Sequence, residues 1–283
     1  GLQSALQKIH FPKSYEERDH ALRRLKFDEL FYFQLLMAYR RRELKGELKG
    51  ISFNTKSALA QSLRAVLPFE LTKAQQRVIE EIFSDMHAST PMNRLLQGDV
   101  GSGKTIVAVL AMLVAVDNGV QAALMAPTEI LAEQHWRSLK NYFSELPINI
   151  RLLVGAQKKK LREDILEDIR RGSAQIVVGT HALLQEHVEF ANLGFVVIDE
   201  QHRFGVAQRA LLREKGKLNP DVLVMTATPI PRTLSLTVYG DLDVSIIDEL
   251  PKNRKEIRTA VRTEKEKEKI FAFVRAEVQK GRQ

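Results

Sequence analysis

The sequence predicts an α/β fold, a mainly parallel sheet with helices on both faces, preceded by an α-helical segment. Three observations predict it. From residue 69 onward short apolar runs alternate with helical patterns, as strand–helix–strand units do. One run leads into a glycine-rich loop and then a long apolar helix, "NRLLQGDVGSGKTIVAVLAMLVAV" (93–116). Another, "FVVIDE" (195–200), ends on two carboxylates, and ligands of such sheets bind outside the carboxyl ends of strands.

Taken in order, residues 14–46 form a long helical pattern. Ser14 is its expected N-cap and Glu17 the second half of a capping box. Leu22, Leu25, Leu30, Phe33, Leu36 and Met37 recur at three- and four-residue steps, so one face is expected to pack. Arg40-Arg41-Arg42 and Gly46 suit a helix C-terminus. Whether those arginines also meet phosphates stays open. A second helix is expected over 55–66, and Thr72 is an expected N-cap for the helix after it. Strands are expected at 93–97, 121–126, 149–154, 175–178, 194–198, 221–226 and 243–247. Residues 248–259 read as an extended linker, and 264–283 as a final helix. The expected domains are thus a helical packing segment (1–68), a sheet domain (69–250) and a linker with the start of a further unit (251–283).

Composition narrows the function classes. The chain has 283 residues and no cysteine, which removes disulfides and thiolate zinc sites. No apolar run reaches membrane-spanning length, and no signal peptide is visible, so a cytoplasmic protein with no membrane partner is expected. The chain begins with Gly rather than Met, as a piece of a longer protein would. The net charge of +8 is uneven: residues 1–68 carry 13 Lys+Arg against 7 Asp+Glu, 69–254 carry 21 against 23, and 255–283 carry 9 against 5. Basic flanks around a near-neutral centre fit a polyanion met at the edges, though solvated helix faces give the same pattern.

The loop Gly98-Asp99-Val100-Gly101-Ser102-Gly103-Lys104-Thr105 reads G-x-x-x-x-G-K-T. Its glycines let backbone amides crowd an anion. Lys104 is expected on the β- and γ-phosphates and the Thr105 hydroxyl on Mg²⁺. The buried helix that follows turns its positive end to the phosphates. Asp199 is expected to hold Mg²⁺ and Glu200 to take the proton from an attacking water. Gln75 carries an amide able to pair with adenine, though an ordinary surface Gln is the plain alternative. Phe69 reads as core rather than as a stacking platform. Thr226 and Thr228 are placed to bond Glu200 or His202 and sense the nucleotide, or only to close a turn before Pro229.

Together these stretches resemble helicase superfamily 2, and hence a RecA-like P-loop NTPase domain. "LTKAQ" (71–75) resembles the adenine-reading Q motif, "GSGKT" motif I, "APTEILAEQH" (126–135) motif Ia and "VGTHALLQ" (178–185) motif Ib. "DEQH" (199–202) resembles motif II and "TATPIPRT" (226–233) motif III. "DEQHRFG" and "TATPIPRTL" are shared by RecG-type branched-DNA helicases and the transcription-repair coupling translocase. "YGDLDVSIIDELP" (239–251) and "RRLKFDELFYFQL" (23–35) resemble the RecG type.

The resemblance implies ATP and Mg²⁺ as cofactors. It implies that Gln75 reads adenine, that Lys104, Asp199 and Glu200 support hydrolysis, and that His202, Thr226 and Thr228 couple nucleotide state to DNA grip. Thr128, Glu129, Gly179 and Thr180 are implied to lie against the DNA backbone, where contacts position without reading sequence. The implied partner is branched double-stranded DNA, forks and Holliday junctions, regardless of sequence, with action at the nucleoid. The family's wedge domain is expected before residue 1 and its second motor lobe after about residue 255. No "Q-x-x-G-R-x-G-R" occurs in the chain, and loss of a transition-state arginine lowers rates by about 10³–10⁵ in related NTPases. The implied behaviour of these residues alone is weak ATP binding, poor turnover and no unwinding. The competing expectations are the transcription-repair coupling translocase and a nucleotide-gated DNA-binding module that does not hydrolyse.

Overall fold

Among the described residues seven apolar runs become seven parallel strands whose residues alternate between two cores. They are β1 (Asn93–Gly98), β2 (Gln121–Met125), β3 (Ile150–Leu153), β4 (Ile176–Gly179), β5 (Leu193–Ile198), β6 (Asp221–Thr226) and β7 (Asp243–Ile247). Each lies within one residue of its expected span. The sheet order is β3-β4-β2-β5-β6-β1-β7, and every neighbouring pair is parallel. The structure is a computed structural model that describes residues 1–47, 50–200, 215–216, 219–228, 242–249 and 259–281, with only the helical backbone described at 40–47. Among them the chain divides into Gly1–Pro251 and Lys252–Gln283.

Side-chain alternation sets the layers. Leu96, Leu124, Val178, Val197 and Met225 face one core. Leu95, Ala123, Val177, Val196 and Val224 face the other. The first core is filled by α3 (Ala58–Val66), α4 (Lys73–His87), α5 (Lys104–Asp117) and α6 (Glu129–Tyr142). The second receives Ile165 and Ile169 of α7 (Lys159–Arg171). Helix α5 is buried from Ile106 to Val116 without a break, which is why its sequence lacks a polar face.

The N-terminal segment does not behave as one packing unit. Helices α1 (Leu2–His10) and α2 (Tyr15–Glu47) pack on each other, with Ala5 and Ala21 buried at their contact. Leu22, Leu30, Phe33 and Leu36 of the expected packing face remain exposed among the described residues. At the start of α2, Ser14 Oγ accepts from the Glu17 amide at 3.1 Å as expected. Glu17, however, reaches the Lys13 amide at 2.9 Å and Lys8 at 2.7 Å, so the capping box closes one residue early.

Residues 50–66 instead belong to the sheet domain. Phe53 and Leu63 are buried in the first core, and the Phe53 amide donates to Met86 O at 2.8 Å. The amides of Asn54 and Leu59 donate to Asn118 Oδ1 and Asp117 Oδ2 at the end of α5. The expected boundary near 68 therefore falls inside a packed unit. The described end of the chain carries α8 (Lys267–Gln279).

Because all strands run one way, the seven carboxyl ends share one rim, and the seven amino ends share the other. The amino rim is held by buried and half-buried polar side chains. Arg94 Nε lies 2.7 Å from Asp85, its Nη1 reaches Ser245 Oγ at 2.7 Å and Glu81 at 3.3 Å, and Ser245 also bonds Glu81. Gln121 donates to Ile169 O and Ala174 O and accepts from Asn192 N, all within 3.0 Å. Asp221 accepts from Met92 N at 2.7 Å while its Oδ2 has no partner among the described residues. Burial pushes the Asp221 carboxyl up to about 8, with Asp85 adding to the rise and the Met92 bond opposing it.

Candidate nucleotide-binding site

The carboxyl rim gathers the predicted residues. The phosphate loop joins β1 to α5, with Gly101 at φ 78° and Gly103 at φ 87°. A Cβ on Gly103 would run into the Gln75 amide, so this position needs glycine twice over. Helix α5 begins at Gly103 with no side-chain cap and no acidic residue in its first turn. Its first amides and dipole are thus open to an anion. Ser102 Oγ is fully buried with no hydrogen-bond partner among the described residues, an orphan inside the cradle.

Lys104 lies across the loop, Nζ donating to Gly98 O at 2.7 Å and Asp99 O at 3.1 Å. Burial lowers its pKa, and the nearby charges of Asp199, Glu200 and Asp99 oppose that fall. The ammonium therefore sits in the field of both motif II carboxylates. Strand β6 lies between the strands carrying them. Thr105 is half-buried at the helix start. Asp99 Oδ1 accepts from the Val100 amide at 2.7 Å, and Val100 is exposed at the loop's tip.

Asp199 follows β5, its amide donating to Met125 O of β2 at 2.9 Å. Its Oδ1 accepts from the Glu200 amide at 3.0 Å, and its Oδ2 lies 2.7 Å from His135 Nε2 of α6. Glu200 has φ 52°, the one non-glycine residue in the left-handed region among those described. That conformation costs roughly 1–2 kcal/mol and is typical of active-site turns. His202 lies outside the described residues.

Several expectations are revised. Gln75 is 2% exposed: its Oε1 accepts from Thr72 N at 2.9 Å and its Nε2 donates to Ser102 O at 2.8 Å. As placed it closes the α4 capping box and braces the phosphate loop, and it presents no open amide edge to a base. Phe69 is exposed rather than core. Thr226 and Thr228 bond each other at 2.8 Å, and the Thr228 amide also donates to Thr226 Oγ1 at 3.2 Å, which closes a local turn at the end of β6.

On the expected DNA face, Thr128 caps α6, accepting from Leu131 N at 3.3 Å, and stays half-buried. Glu129 turns to the loop after β3, accepting from Gly155 N at 2.8 Å and Ala156 N at 3.3 Å. A carboxylate would repel phosphate in any case. Gly179 and Thr180 are buried: a Cβ on Gly179 would meet Leu153 O, and Thr180 caps the turn at His181–Leu184. These three are engaged in shaping the rim. Residues 248 and 249, read as linker, are docked: Asp248 pairs with Arg77 at 3.0 Å and Glu249 accepts from the Ala74 amide at 3.0 Å.

Sequence reasoning missed three contacts here, His135 to Asp199, Glu129 to the Gly155 loop and Glu249 to α4. Only the first left a signal. His135 follows Thr128 by seven residues, which sets both on one stripe of a helix.

Comparison with known proteins places this geometry. Residues 72–237 match the family model for DEAD/DEAH box helicases. The chain is 53% identical to the ATP-dependent DNA helicase RecG of Synechocystis over 282 residues, covering 100% of this chain and 34% of that protein. It is 51% identical to RecG of Streptococcus pneumoniae, covering 99% and 41%. The chain thus spans well under half the length of these relatives. A solved structure of RecG bound to a three-way DNA junction superposes with a TM-score of 0.86 at 46% identity, over 98% of this chain and 37% of that one. Mss116p bound to single-stranded RNA and AMP-PNP superposes at 0.55 with 20% identity, over 72% and 45%, a likeness of fold alone.

Proposed function

We propose, from the premise that this chain belongs to the DEAD/DEAH box helicase family, that it is the ATP-binding first lobe of a RecG-type motor that remodels branched double-stranded DNA. The observation that carries the reading is the meeting of phosphate loop and carboxylate pair on one rim, with Lys104 in the field of both Asp199 and Glu200. A module that only bound nucleotide would have no use for Glu200.

In this reading the open amides at the start of α5, with Lys104, take the β- and γ-phosphates. The orphaned Ser102 hydroxyl, the uncapped helix start and the oxygen donors of Thr105 and Asp199 fit a magnesium nucleotide. Thr105 and Asp199 are the residues to hold Mg²⁺, which when bound neutralises charge on the phosphates. Glu200 accepts the proton of the attacking water. Gln75 keeps the loop in its receptive shape. Thr128, at the half-buried start of α6, is the candidate for a DNA-backbone contact. Thr226 and Thr228 are the residues to relay nucleotide state. The arginine that stabilises the transition state, and the wedge that splits a junction, come from outside these 283 residues.

The test is ATP turnover by a full-length RecG-type protein carrying this sequence, with and without a three-way DNA junction, beside the same protein with Glu200→Gln. Junction-stimulated turnover that the substitution lowers by at least about 100-fold is expected. Junction binding without turnover in either protein would leave a nucleotide-gated DNA-binding module in place of a motor.

A further inference from the structure

His135 takes no part in the reading above, yet it touches the residue at its centre. Its Nε2 is 2.7 Å from Asp199 Oδ2, and each side chain is 13% exposed. A carboxylate oxygen only accepts, so Nε2 carries the ring proton and donates it. The other Asp199 oxygen accepts from the Glu200 amide. Two donors on two different oxygens fix the rotation of the carboxylate. Little solvent reaches the pair to compete.

The donor is itself held firmly. Ala132 and Leu139 of α6 are completely buried against the sheet. Thr128 caps the start of the helix, and Glu129 ties its first turn to the loop at Gly155. The imidazole thus reaches the rim from a packed helix rather than from a loop, as precise positioning requires.

We propose that His135 is a positioning residue for Asp199, holding the carboxylate in the orientation in which it meets a divalent cation. The proposal rests on the reading of this rim as a magnesium-nucleotide site. Groups that orient a ligating side chain are worth about 10–100-fold in metal affinity.

The experiment follows the fluorescence of N-methylanthraniloyl-ATP bound to the chain while Mg²⁺ is titrated, for the parent, His135→Ala, His135→Gln and Lys104→Ala. His135→Ala is expected to raise the half-saturating Mg²⁺ about tenfold and to leave nucleotide binding in EDTA unchanged. His135→Gln, which restores an N–H donor at similar reach, is expected to recover most of that loss. An unchanged Mg²⁺ dependence in His135→Ala overturns the proposal. So does a His135→Gln chain as impaired as His135→Ala at an equal melting temperature, since bulk rather than the donated proton would then matter. Lys104→Ala separates the two readings. If it binds nucleotide as the parent does, the site itself is misassigned. If it alone loses binding, only the role of His135 falls.

Discussion

The two rims of the sheet hold similar side chains and use them in opposite ways. On the amino rim, Arg94, Glu81, Asp85, Ser245 and Gln121 are joined in closed networks. On the carboxyl rim, Glu200 is strained, Ser102 Oγ is orphaned and Lys104 lies over backbone carbonyls. Satisfied polar networks lower the energy of the fold and fix its register. Unsatisfied and strained groups raise it, and persist where a ligand completes them. With Asp221 Oδ2 as the exception on the amino rim, the difference teaches which rim is mainly for stability and which for binding, without reference to any motif.

Substitutions at each rim should therefore separate the two properties. Lys104→Ala should weaken ATP binding by about 100-fold or more, while urea unfolding shifts by no more than about 1 kcal/mol. A large loss of stability would break the contrast. Arg94→Ala should do the reverse. It strands Glu81 and Asp85 beside a buried site, at a cost of roughly 2–4 kcal/mol since both acids keep some solvent. Nucleotide affinity, read by the same fluorescence titration, should stay within about twofold of the parent, as expected for distant independent sites.

Asp221 sharpens the comparison through pH. Its folded-state pKa is raised from 3.8 to about 8, so folding favours the protonated form. The resulting stability is fully present below about pH 4 and is lost as pH rises through about 8. The parent should be less stable at pH 8.5 than at pH 5.5, by an amount on the order of a few kcal/mol. Asp221→Asn, which keeps the acceptor for Met92 N, should flatten that slope. Equal urea midpoints for the parent at both pH values would refute it. The smallest effect belongs to Glu200→Gly, which relieves the left-handed backbone and should raise stability by about 1 kcal/mol while abolishing turnover. A destabilised Gly variant would show that Glu200 is not strained.

Much of this was legible in the sequence, for identifiable reasons. Parallel strands are buried on both faces, so "AALM" and "FVVI" read as unbroken apolar runs, and their spans needed no tertiary information. The carboxyl rim was legible because phosphate binding demands particular residues at fixed spacing within one loop. Helix α1 was missed. It is nine residues long and buries only Ala5, which leaves no periodic signal. Pairings across distant chain were harder to read: Glu249 meets Ala74 with no signal in the sequence, and the helical spacing of His135 does not name Asp199 as its partner until the sheet order is known. The bracing bonds of Gln75 were not legible, because an adenine reader and a buried brace carry the same amide.

Strand β1 lies between β6 and β7, and this order fixes when the phosphate loop takes shape during synthesis. Gly98 leaves the ribosome 149 residues before its sheet partner Ile247. At about 5–20 residues per second the nascent strand waits roughly 7–30 s for its last neighbour. Until β6 emerges, for most of that interval, both edges of an apolar strand are open to wrong partners. The strand that carries the loop is therefore the one that waits longest in sequence for its sheet neighbours.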